Sequence, residues 1–399
     1  MKYCIIVPDG AADRPCNELD GRTPLQAARI PNIDEIARIG RLGLVHTIPN
    51  GMYPGSDVAN LSVLGYNPED YYTGRGPIEA ASMGVDIMPG QVAFRCNFVT
   101  VADGLMIDHS AGHITNKESA ALVESLNENL GSEQIRFLPG VSYRNILLFT
   151  GVGEFEVECA PAHDILGEPI EKHMPKGKGA DRLQFLMERS TEILGDHDIN
   201  RVRLDLDQNP ATTIWPFWGG GPLPDIPDFQ KRYGKTAALI SAVDLLNGLA
   251  KILGMTRINV PGATGFIDTD YEAKGRYACD ALREHDLVFV HIEAPDEAGH
   301  SGDAVDKIKA LEQIDEHIVG PVHDVLKATG DYRILVLPDH PTPVELKTHT
   351  SDPVLFAMCG TRVVSLREVE FNEENAETAD LKIERGHDLM EYFLTSNLQ

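Results

Sequence analysis

A chain of 399 residues is too long for one small core and points to two domains, or to one domain carrying a large insertion. With 42% hydrophobic and 24% charged residues the composition is that of an ordinary globular enzyme, whereas a net charge of −26 excludes a general binder of nucleic acid or anionic membrane. The six cysteines are far apart, form neither a thiolate metal knuckle nor a redox pair, and are expected to be reduced side chains of a cytoplasmic protein.

Tyr3 to Val7 is a short β-prone run ending at Pro8-Asp9-Gly10, a first strand rather than a secretory or membrane segment. Asp9 stands at the carboxyl end of that strand, where open α/β sheets gather their ligands. The plain alternative is a turn aspartate before glycine. Thr23-Pro24-Leu25 opens a helix, and Ile33, Ile36, Ala37 and Ile39 keep helical spacing up to Gly40. A strand follows from Leu44 to Ile48, with His46 packed inside it.

Gly55-Ser56-Asp57 then delivers Ser56 to a helix N-terminus, with Leu61 and Leu64 on the buried face. Locally, Ser56 is an N-cap. The same position offers backbone N–H groups and a positive dipole end to a phosphate on the serine oxygen. A serine nucleophile needs a base or a metal, and no histidine follows closely, so a metal is the better candidate. Arg75, in Thr73-Gly74-Arg75-Gly76, adds a cation.

From about Gln91 the pattern changes to β-prone runs with a hairpin at Ala102-Asp103-Gly104. Further strands at Ile135 to Phe137 and Tyr143 to Thr150, and helices at Lys117 to Leu126 and Asp181 to Ile193, complete an α+β insertion over 88–215. The flanking 1–87 and 216–399 form the α/β core. Trp215 to Pro222, rich in glycine and proline, is expected to be a loop. Gly234-Lys235-Thr236 suggests a nucleotide loop but fails, because Phe229 occupies the place of the motif's first glycine.

Leu287 to Val290 is another buried strand, and Asp296 and His300 follow it four apart, on one face of any helix that forms there. Ile334 to Leu337 leads in the same way to Asp339-His340, and His349 lies shortly beyond. Each residue has a plain reading as a cap or as polar surface. Jointly, three aspartates lie at strand ends that an α/β sheet brings together. With His300, His340 and His349 they suffice for two metals of mixed N/O coordination, the arrangement that clamps an in-line phosphoryl displacement. A single structural metal, or none, is the alternative.

The set Asp9-Gly10, Gly55-Ser56-Asp57, Asp296 with His300, Asp339-His340 and His349 resembles the alkaline phosphatase superfamily, and Gly74-Arg75-Gly76 and Arg385-Gly386-His387-Asp388 add to a narrower likeness. Within that superfamily, the chain is most similar to the archaeal-type cofactor-independent phosphoglycerate mutases, nearly end to end. The resemblance implies an alkaline-phosphatase-like core sheet flanked by helices and an inserted lid that closes over a small phosphorylated metabolite. It implies Ser56 as the phosphorylated nucleophile, one metal at Asp296, His300 and His349, and another at Asp9, Asp339, His340 and the Ser56 oxygen. Mn2+ is the first expectation for the two divalent ions, with Zn2+, Mg2+ or Co2+ as alternatives. In that family, arginines of the inserted domain grip the substrate carboxylate, whereas here the stretch reads Asp108-His109-Ser110-Ala111-Gly112-His113. His109 and His113, with Arg75, Arg95 and Arg144, are therefore the substrate-binding candidates. A related branch implies a second reading, a homoserine kinase-like phosphotransferase, whose substrate ammonium Glu293 and Glu297 would tolerate. A non-catalytic metal-binding protein is the third.

Overall fold

The computed structural model describes residues 1–395 apart from Glu154. The chain forms two compact units, Met1–Tyr71 with Asp225–Gln399, and Tyr72–Pro224. The first opens with β1 (Lys2–Pro8) and β2 (Arg41–Val45). The second contains β3 (Gln91–Ala102), β4 (Leu105–Asp108), β5 (Ile135–Leu138), β6 (Arg144–Thr150), β7 (Glu156–Glu158), β8 (Lys176–Lys178) and β9 (Thr213–Gly220). The chain returns to the first with β10 (Ala237–Ile240), β11 (Thr256–Ile258), β12 (Leu287–Ile292), β13 (Tyr332–Val336), β14 (Val354–Gly360) and β15 (Leu381–Ile383).

The larger unit is an α/β structure around one sheet in the order β11-β10-β12-β1-β13-β14-β2-β15. All neighbours are parallel except the two that β14 makes. Strands covered on both faces must be apolar throughout rather than alternating. Accordingly β12 is buried at every position and β1 at every position after Lys2. Register then sets the site: Pro8 pairs with Ile292 on one side of β1, and Ile6 with Val336 on the other. The three strands leave the sheet at one level, so Asp9 and Asp339 stand side by side, three residues past the Ile6–Val336 pair.

Two expectations shift here. Pro24–Ala27 and Pro31–Ile39 are separate helices, because Pro31 lacks an N–H and bars the helical conformation from the residue before it. The strand expected at Leu44 to Ile48 runs instead from Arg41 to Val45, where β14 pairs with it. His46 thus lies beyond the strand, with Nε2 3.9 Å from a Glu384 carboxylate oxygen.

The smaller unit is an antiparallel sheet, β4-β3-β6-β5, with β9 also on β3, covered by the helices Asn116–Leu130 and Ala180–Gly195. Leu122, Leu126, Leu183, Leu186, Trp215 and Phe217 share its core. The tryptophan segment is therefore a strand, not a loop. Its glycines and proline masked the alternation, and Pro216 is tolerated because β9 has a partner on one side only. The unit begins at Tyr72 rather than near residue 88 because the helix Arg75–Ser82 packs on β3 and β9. A Cβ on Gly76 would sit 2.4 Å from the Ala93 carbonyl oxygen. Among the described residues no helix is long and apolar enough to cross a membrane.

Candidate metal centre

Asp9 and Asp339 are both 0% exposed. Oδ1 of Asp339 accepts from the backbone N–H of Gly10 at 3.2 Å and of His340 at 3.0 Å, and Oδ2 accepts from Asn60 Nδ2 at 2.6 Å. These donors fix the carboxylate's orientation. On the other strand, the helix Ala294–Ser301 starts with Pro295 in its first turn and sets His300 one turn after Asp296, with Nε2 3.3 Å from Oδ2. His349 Nε2 is 3.4 Å from Oδ1 of the same aspartate.

Both rings are held from behind. His300 Nδ1 lies 3.1 Å from the Lys347 carbonyl oxygen and His349 Nδ1 3.2 Å from that of Pro54, contacts in which each Nδ1–H donates and each Nε2 is turned toward Asp296. The two Nε2 atoms are 2.9 Å apart. Two Nε2 atoms and a carboxylate converging on one point would suit a cation, which would displace their protons, and a backbone carbonyl behind each ring is the usual support of a ligating imidazole.

Ser56 is the first residue of the helix Ser56–Val63, with Gly55 in the capping position and no side-chain cap. The serine therefore does not cap, as a local reading would have it. Its Oγ is 3.2 Å from His340 Nε2 and 3.5 Å from Asp9 Oδ2. One turn on, Asn60 donates both to the Ser56 carbonyl at 2.9 Å and to Asp339, tying the helix to the strand end.

The donor atoms form two groups, Asp296 with His300 and His349, and Asp9 with Asp339 and His340. Thr342 joins them: its hydroxyl donates to Asp296 and lies 3.3 Å from His340 Nδ1. Burial and the adjacent Asp339 charge push the Asp9 carboxyl well above the usual carboxylate range. Burial also opposes a charged Asp339, but His340 and the Asp9 contact hold it low. Burial opposes Asp296 too, and hydrogen bonds from His300 and His349 outweigh it. Burial likewise disfavours a charged His300, yet the Asp296 carboxylate lifts its pKa to about 9. Two buried carboxylates side by side call for a nearby positive charge, and a divalent cation supplies it.

Sequence reasoning missed Asn60, Thr342 and His291. His291 is 1% exposed, and its Nε2 is 3.1 Å from Asp9 Oδ2; burial lowers its pKa to about 4. A lone imidazole in an otherwise apolar central strand was the available signal.

The substrate-binding candidates all lie in the smaller unit. Arg95 is buried, with Nη1 on both Glu79 oxygens at 2.7 and 2.6 Å and Nε on Asn97 at 2.7 Å. Its Nε and Nη1 donors are thus engaged by the framework of its own unit. Arg75 donates to Glu79 at 2.9 Å and stacks 4.0 Å over the Trp218 ring. His109 and His113 both pack edge-on against Tyr143, whose ring Arg144 also covers. His163 connects the two groups, with ring centroids 6.3 Å from His109 and 5.5 Å from Trp218. Glu79, Tyr143, His163 and Trp218 are absent from the sequence-based candidates.

Residues 37–200 match the family described as 2,3-bisphosphoglycerate-independent phosphoglycerate mutase. The protein of that name from Methanothrix thermoacetophila is 51% identical over 391 residues, 98% of each chain. Among solved structures, a Pyrococcus horikoshii protein aligns with a TM-score of 0.80 at 29% identity, over 98% of this chain and 96% of that one. The cofactor-independent phosphoglycerate mutase of Thermoplasma acidophilum aligns with a TM-score of 0.64 at 29% identity, over 99% of both.

Proposed function

The chain belongs to the 2,3-bisphosphoglycerate-independent phosphoglycerate mutase family, and on that premise we propose that it interconverts 2-phosphoglycerate and 3-phosphoglycerate through a phosphoserine at Ser56. The Ser56 oxygen forms a bond to phosphorus as the bond to one glycerate oxygen breaks. The reverse step delivers the same group to the neighbouring hydroxyl, with no water consumed. The N-terminus of the helix Ser56–Val63 favours the phosphate at that point. Asp296, His300 and His349 would hold one divalent cation; Asp9, Asp339, His340 and the Ser56 oxygen would hold the other. The family likeness puts Mn2+ first, ahead of Zn2+, Mg2+ and Co2+, and a mixed nitrogen and oxygen set admits such first-row ions. The bound cations would lower the proton affinity of the serine and offset charge on the transferring group.

The reading assigns the Tyr72–Pro224 unit the recognition of the glycerate carboxylate and the exclusion of water, which separates a mutase from a phosphatase. Arg75, Arg95, Arg144, His109 and His113 are the proposed contacts. Six free cysteines fit a reducing cytoplasm.

The observation that carries the proposal is the Ser56 hydroxyl, 3.2 Å from His340 Nε2 and 3.5 Å from Asp9 Oδ2. The test is turnover of 3-phosphoglycerate with added Mn2+, beside homoserine plus ATP. The first should be converted and the second not. Ser56→Ala should lose at least ~1000-fold in kcat, and retained activity would remove Ser56 from the reaction.

A further inference from the structure

His291 lies next to last in β12, among Leu, Val, Phe and Ile, and the reaction above gives it no part. Neither ring nitrogen has a hydrogen-bond partner among the described residues, and Oδ1 of Asp9 has none either. A buried polar group left unmet costs about 1–3 kcal/mol, so such groups in a folded protein are answered by ordered water, an ion or a role in the chemistry. Nε2 of His291 is 3.1 Å from Asp9 Oδ2 and 4.0 Å from Asp339 Oδ2. The shorter contact does not have the geometry of a hydrogen bond. That is the relation between two ligands of one cation. With metal–ligand bonds of about 2.1 Å, donor atoms stand roughly 3–4 Å apart, and neither lies on the other's lone pair.

We propose that His291, through Nε2, is a further protein ligand of the cation held at the Asp9–Asp339 pair. The proposal rests on the metal-dependent reading of the site and extends it to metal choice. A second imidazole beside His340 moves that position away from Mg2+, which prefers oxygen and retained water, toward Mn2+, Zn2+ or Co2+.

The test uses the full chain, stripped of metal and titrated with Co2+, read by visible absorption and by melting with and without metal. Wild type should bind cobalt in two phases. In His291→Gln one phase should weaken at least ~10-fold and its absorption bands should shift, while the other phase is unchanged. The metal-free variant should melt no lower than the metal-free wild type, since the imidazole has no hydrogen bond to lose, and His291→Leu checks this with an apolar side chain. An unchanged cobalt spectrum overturns the assignment, as does a fall in metal-free melting temperature with unaltered cobalt affinity. If wild type binds cobalt and turns over while the variant's spectrum is identical, His291 alone is dismissed and the mutase reading stands. A wild type that binds neither Co2+ nor Mn2+ dismisses both.

Discussion

Gly10 has φ +63°, and a Cβ there would lie 2.5 Å from Asp296 Oδ1 and 2.6 Å from Thr342 Oγ1. Either constraint alone selects glycine. Gly10→Ala should therefore displace Asp296 and lower bound metal per chain, measured by elemental analysis, while the far-ultraviolet circular dichroism stays that of a folded α/β protein. Normal metal content would contradict this. His300 is partly exposed and bound to Asp296 in one site, so His300→Ala should lose metal before it loses fold. With chelator present it should melt below wild type, because buried Asp296 loses a partner, and the gap should widen with Mn2+. Asp9, Asp296 and Asp339 were legible because each follows an apolar strand. Asn60 and Thr342 were not, since a polar residue on a helix or loop acquires its role only from the strand end it meets in three dimensions.

At the scale of elements, Glu79 ties the helix Arg75–Ser82 to β3. Burial alone would raise its pKa, but Arg95 and Arg75 hold it at about 2, well below a free glutamate. A folded-state pKa below the unfolded value contributes stability that is complete above about pH 5 and lost as pH falls toward 2. The contribution is on the order of 3 kcal/mol at neutral pH. Glu79→Gln also strands the buried Arg95, so the variant should melt well below wild type at pH 7, by about 3–5 kcal/mol. The gap should narrow between about pH 4.5 and pH 2, because wild type loses there what the variant never had. A gap constant with pH would contradict the assignment. Helices and strands with one clear period, such as Asn116–Leu130 and β12, were legible in the sequence. The β9 strand was obscured because proline and glycine outweigh its alternation locally, while the burial of Trp215 and Phe217 decides the outcome. Ser56 was ambiguous for a related reason: capping and first-turn positions differ by one residue, and only the strand ends show which way the hydroxyl points.

For the whole molecule, a net charge of −26 and two carboxylate-containing clusters make divalent metal a stabilising ligand. At a hundredfold excess over Kd, a cation bound at either cluster would add about 2.7 kcal/mol. Chelation should therefore lower the melting temperature at neutral pH, and Mn2+ should restore it in a concentration-dependent way; a melting temperature indifferent to chelator would contradict a built metal site. The sequence disclosed an α/β core with an α+β insertion through its change of periodicity. It did not disclose the edges of the insertion, because the helix Arg75–Ser82 carries no local mark of the sheet it packs on.

The most direct measurement is to incubate the Mn2+-loaded protein with 3-phosphoglycerate, quench during turnover, and locate phosphate by peptide mass spectrometry. Phosphate on Ser56, absent without substrate and absent when metal is removed, is the predicted result. Steady turnover with Ser56 unmodified at every time, and label on another residue or on none, would contradict the account.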